Sequence, residues 1–99
     1  MDRSHFELVS NILLRPRMYS SAESLRELLV FISGVCTGIR PPHGSGVLGE
    51  FPDFVNAHFD ASVGSDWRVV LESNFATLPY LEACSRIRAL LEQWHTLQS

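Results

Sequence analysis

The sequence contains no lysine. All eight of its basic residues are arginine, and eleven acidic residues outnumber them, so the formal net charge of the 99 residues is −3. A basic patch supplies most of the affinity in proteins that bind nucleic acids. The charge balance therefore argues against nucleic acid as a partner.

Cysteine is scarce. Cys36 and Cys84 are the only two in the sequence, and both sit inside apolar helical patterns. A structural disulfide needs an oxidising compartment, and nothing else in the sequence indicates one. We expect both thiols to act as small buried hydrophobic side chains.

Long apolar runs are also missing. The longest uncharged stretch of the apolar region, Leu28 to Ile39, has twelve residues, which is too short to cross a bilayer. Asp2 and Glu7 lie where a signal peptide would carry its basic and apolar regions. The sequence therefore predicts a cytoplasmic protein without membrane contact.

What the sequence does contain is helical periodicity. With 45% hydrophobic residues, the chain is expected to form a single helical domain over 1–99. The predicted fold is all-α, a compact bundle of about five amphipathic helices. The helices are expected over 4–14, from a capping box at Ser20–Glu23 to Ile39, over 51–61, from near Asp66 to Phe75, and from near Thr77 to Trp94.

Two segments between the helices are predicted as loops. Residues 15–19 should form an ordered loop after Pro16 ends the first helix, and residues 40–49 a Pro/Gly-rich loop between helices two and three. Residues 67–71 leave open a short strand instead of a helix. In the third helix, Asn56 is predicted to face solvent and His58 to lie in the core.

Motifs that would indicate enzymatic chemistry lack their context. Gly44 to Gly49 reads G-x-G-x-x-G, but Pro41 and Pro42 stand where a strand would be required for a dinucleotide site. His43 has no nucleophile or second base nearby in sequence, and no histidine or cysteine pair has zinc-ligand spacing. The expectation is that the chain is not an enzyme and has no catalytic, cofactor-binding or metal-binding residues.

The negative charge is concentrated in one part of the chain. Residues 50–82 carry six acids against Arg68 alone, whereas the segments on either side are each net positive by one. An ordinary solvated helix face is one explanation. The other is a docking surface for a basic partner, which would speed association. Its candidate residues are Glu50, Asp53, Asp60, Asp66 and Glu72.

A further pattern runs from about residue 12 to 95. It begins with Arg15-Pro-Arg-Met-Tyr19 and continues with a Leu-rich helix that reaches Gly34. Phe51-Pro-Asp-Phe-Val55, a tryptophan and a closing Leu-rich helix follow. The chain resembles small bacterial immunity proteins of polymorphic toxin systems, including contact-dependent growth inhibition. Type II topoisomerases carry a similar R-P-G-M-Y, but this chain is far too short for their fold.

The resemblance implies a protein that binds a cognate toxin domain, often a basic nuclease, and covers its active site. It also implies a structural role for the R-P-x-M-Y segment. Arg15 and Arg17 would bond backbone carbonyls, and Met18 and Tyr19 would pack under the second helix. The alternative is a small homo-oligomeric scaffold or regulatory adaptor, because Val30, Phe31, Trp67 and Trp94 together suggest more apolar surface than a small core hides.

Overall fold

The computed structural model describes residues 3–38, 51–62 and 64–97. Within these residues every regular element is a helix, which confirms the all-α prediction. The helices are α1 (Arg3–Leu14), α2 (Pro16–Tyr19), α3 (Leu25–Gly38), α4 (Phe51–His58), α5 (Trp67–Asn74) and α6 (Tyr80–Leu97). The Cα radius of gyration is 12.7 Å, close to the roughly 13 Å expected for a compact chain of 100 residues.

The core forms around α6, the longest helix. Its inward face carries six buried residues, and those of α1 and α3 recur at the same helical spacing. Helices α1 and α6 lie antiparallel: the Phe6 and His95 rings stack with centroids 4.0 Å apart, and Arg88 Nε donates to Ser10 Oγ at 2.9 Å. Cys84 is buried, as predicted, whereas the side chain of Cys36 lies outside the described part of the chain.

The predicted loop at 15–19 is wrong, because it contains α2, a single helical turn. Pro16 ends α1 as expected, but it also occupies the first turn of α2, where its missing N–H costs nothing. The amide of Ser20 donates to the Pro16 carbonyl at 3.0 Å and closes the turn. This turn is the sixth helix of a bundle that was expected to have about five.

The capping box predicted at Ser20–Glu23 is also wrong by four residues. Ser20 Oγ accepts from the amide of Ala22 in the extended segment before α3. The helix is capped instead by Ser24, whose Oγ accepts from the amide of Glu27 at 3.3 Å. Glu27 Oε2 in turn accepts from the amide of Glu23. The same Ser-x-x-Glu spacing occurs twice in succession before α3, and only the second copy directly precedes the continuous apolar stripe.

Helices α4 and α5 meet at both ends. The Phe51 and Trp67 rings lie 6.1 Å apart near the helix starts, and the Phe59 and Phe75 rings 5.7 Å apart just past the helix ends. Between them Asn56 is buried, contrary to the predicted solvent position, because its Nδ2 donates to the Ser65 carbonyl at 2.9 Å. Residues 67–71 lie within helix α5, so the strand alternative is excluded.

His58 is exposed rather than buried, and its ring lies beside those of Phe54 and Phe59. Helix α4 ends at this residue instead of reaching Ala61. The last helix begins at Tyr80, where the Pro79 carbonyl accepts from the amide of Ala83, and not near Thr77.

No helix in the described ranges is long and apolar enough to span a bilayer. The predicted Pro/Gly-rich loop at 40–49, with His43 and the G-x-G-x-x-G motif, lies outside the described residues.

Candidate partner-binding surface

Two of the five candidate acids are exposed and unpaired. Asp53 lies in the first turn of α4, and Asp60 follows its end with a left-handed φ of 55°. Neither carboxylate forms an ion pair or a hydrogen bond with any residue that the structure describes. Both carboxylates are therefore accessible to an external cation.

Asp66 has a structural task. It caps α5: its Oδ1 accepts from the backbone amide of Arg68 at 3.0 Å. The Arg68 guanidinium also donates to both carboxylate oxygens, at 3.2 and 3.1 Å. These side-chain hydrogen bonds lower the pKa of the Asp66 carboxyl below its ordinary value. The Asp66 carboxylate is thus paired locally with Arg68, the second residue of α5.

Glu72 lines a cleft between α3 and α5, which we call the α3–α5 cleft. Its volume is about 150 Å³, and buried Leu29 lies beneath it. Val30 on α3 and Val69 on α5 line the cleft and are exposed by 54% and 55%. Arg26 and Glu72 carry opposite charges in its lining without forming an ion pair.

The cleft suits a side chain better than a small molecule. Sites for drug-sized ligands typically occupy about 300–1,000 Å³, about twice the volume available here or more. An apolar floor with charged groups around it is the arrangement in which an interface anchor residue is buried. The sequence did not single out this cleft, since Val30 and Val69 lie off the predicted core stripes and only their exposure identifies them.

A second, more open cavity of about 450 Å³ lies on the other side of α5. Val69 and Asp66 line both cavities, and Phe59 and Ala61, the neighbours of Asp60, line the second. The exposed part of α5 therefore stands between two depressions, with the unpaired carboxylate of Asp60 next to one of them. We call α5, its two flanking cavities, Asp53 and Asp60 the α4–α5 surface.

One candidate acid, a metal site and a reactive thiol remain to be considered. Glu50 lies outside the described residues. The described residues contain no group of three or more His, Cys, Asp or Glu side chains arranged to hold a metal ion. Burial raises the pKa of the Cys84 thiol to about 11, so this group stays protonated and is a poor nucleophile at neutral pH.

Comparison of the chain with protein-family models, with curated proteins and with solved structures finds no match.

Proposed function

We propose that the protein is an immunity protein, which binds a toxin domain and neutralises it by covering the toxin's active site. The observation that carries this proposal is the pair of exposed carboxylates of Asp53 and Asp60, which have no ion-pair partner among the described residues. The exposed valines of the α3–α5 cleft add apolar contact area. A nuclease toxin has a basic substrate cleft, because its substrate is a polyanion. Acids placed over that cleft would replace phosphates.

Charge and apolar area have separate roles in this mechanism. The carboxylates accelerate encounter and orient the partner, while Val30, Val69 and the cleft between them supply buried contact. Asp66 maintains the start of α5, and Glu72 supplies a negative charge within the cleft. The toxin would harm the cell that contains this protein. The protein would therefore bind the toxin in the cytoplasm.

The test uses, as the candidate toxin, a basic nuclease domain encoded by a gene adjacent to the gene for this chain. Association is measured by biolayer interferometry for the wild type and for the double variant Asp53→Arg, Asp60→Arg. We expect the variant to associate more slowly, with the largest difference at low ionic strength, because salt screens exposed charges.

A control with two arginines added elsewhere, Asn11→Arg and Gln93→Arg, should retain most of the wild-type rate, since both side chains are exposed on α1 and α6. Absence of wild-type binding at micromolar toxin would overturn the proposed function. Equal rates for the wild type and the double variant would remove the acidic docking surface from it.

A homo-oligomeric scaffold or adaptor is the second candidate. It is favoured by large apolar side chains that the described chain leaves exposed away from α5, among them Leu14, Met18, Leu81 and Leu97. Trp94 is buried and no longer supports it. Such a scaffold would self-associate while failing to bind the toxin domain.

A further inference from the structure

In the segment 15–19, Met18 and Tyr19 were expected to pack under the helix that follows, α3, and they do not. Met18 is exposed by 71% and Tyr19 by 42%, so neither is buried under α3. The guanidinium groups of Arg15 and Arg17 form no hydrogen bond or ion pair with a described residue. A short helical turn thus presents methionine, tyrosine and arginine to solvent, and these residue types are enriched at protein interfaces. We call Arg17 and Met18 the basic knob.

A groove with an apolar lining and a net negative charge lies beside the basic knob. It has a volume of about 360 Å³ between the start of α3, the end of α5 and the start of α6. Buried Ala83 and half-buried Leu25, Phe75 and Tyr80 supply its apolar lining. Its charged side chains are Glu23, Glu72 and Arg26, a net negative set. Tyr80 Oη donates to the Ala22 carbonyl at 3.4 Å, which ties the segment before α3 to α6.

One residue connects the two features. Glu23 lines the groove and also a shallow open cavity of about 590 Å³. Arg17 lines the same cavity. Within one chain Arg17 and Glu23 share this cavity without pairing, and both are exposed. A basic apolar projection and an acidic apolar groove therefore adjoin on the same face.

This juxtaposition points to a second copy of the chain as the occupant. We infer that the protein forms a two-fold symmetric dimer, in which Met18 of each copy enters the partner's groove and Arg17 pairs with the partner's Glu23. A two-fold interface requires a surface that is complementary to itself, with each contact made twice. Adjacent patches of opposite charge and matching apolar character meet that requirement. The dimer does not rest on the toxin-binding proposal, although the groove shares Arg26 and Glu72 with the α3–α5 cleft.

The dimer is tested by sedimentation equilibrium over a range of micromolar concentrations. The wild type is expected to approach twice the monomer mass of 11.1 kDa. Arg17→Glu, Glu23→Arg and Met18→Asp should each weaken self-association at least about tenfold, because every change acts twice in a symmetric interface. All three side chains are exposed, so the far-UV circular dichroism of each variant should stay that of the wild type.

Mixing the variants gives the decisive result. Arg17→Glu and Glu23→Arg, each monomeric alone, should form dimers when mixed, since one half of the mixed dimer pairs the two introduced charges and the other keeps the native pair. Arg17→Glu mixed with Met18→Asp should stay monomeric, because both halves are then damaged. Gln93→Glu and Gln93→Arg, which change charge about 20 Å along α6 from Tyr80, should dimerise like the wild type.

A wild type that is monomeric throughout overturns the inference. Charge variants that dimerise alone, or that fail to recover on mixing, also overturn it, because the contacts would then lie elsewhere.

Discussion

Helices α5 and α6 are both amphipathic, yet they are held in the molecule in different ways. Six of the 18 residues of α6 are buried, whereas among the eight residues of α5 only Leu71 is. The start of α5 is fixed instead by Asp66, its cap, and by the hydrogen bond from Asn56 to Ser65 just before it. Apolar burial thus establishes the framework, and local polar contacts position the helix that carries the candidate surface.

The largest effect on stability should come from the framework. Leu91→Ala removes a fully buried side chain from α6 and should lower the free energy of unfolding by about 2–5 kcal/mol. Urea denaturation followed by circular dichroism measures the change. Leu97→Ala, an exposed leucine on the same helix, should shift it by less than about 0.5 kcal/mol. Equal effects from both leucines would break the distinction between the two faces of α6.

An intermediate effect is expected at the polar tie before α5. Asn56→Ala leaves the Ser65 carbonyl without its donor in a part-buried site and should cost about 1–3 kcal/mol in urea denaturation. The matched control is Asn74→Ala, since Asn74 Nδ2 also donates to a carbonyl, that of Val70, but in an exposed position. A cost for Asn74→Ala as large as that for Asn56→Ala would show that burial does not strengthen the tie.

The smallest effect concerns the cap. Asp66→Ala should cost about 1 kcal/mol, whereas Asp66→Asn, which also caps helices, should stay close to the wild type. Because the folded-state pKa of Asp66 is lowered, its contribution is present above the ordinary value of 3.8 and is lost as the pH falls through the folded value. The difference between Asp66→Ala and wild type in thermal melts should therefore shrink below pH 3.8.

Much of the fold follows from helical periodicity alone. The inward positions of α3 and α6 and the burial of Cys84 were predicted because each depends on residues within one or two turns. Asn56 was misplaced because its partner, Ser65, is nine residues away and becomes close only when α4 and α5 pack. Met18 was misplaced because an apolar residue in a short turn gives no periodic signal about which way it faces.

The candidate surface was only partly predictable for a similar reason. The charge asymmetry at 50–82 is visible in the sequence. The sequence does not distinguish acids without an ion-pair partner in the described chain, Asp53 and Asp60, from one that pairs with an arginine, Asp66. The α3–α5 cleft depends on two helices that are far apart in sequence, so neither of its exposed valines could be assigned to it beforehand.

The stacking of Phe6 on His95 brings positions near the two ends of the described chain within 4.0 Å of each other. A donor and an acceptor fluorophore attached beyond these residues would be close in the folded protein and far apart once α1 separates from α6. Their energy transfer would report unfolding of the framework directly. Because His95 lies about 22 Å along α6 from Tyr80, such labels would also leave the basic knob and its groove uncovered while self-association is measured.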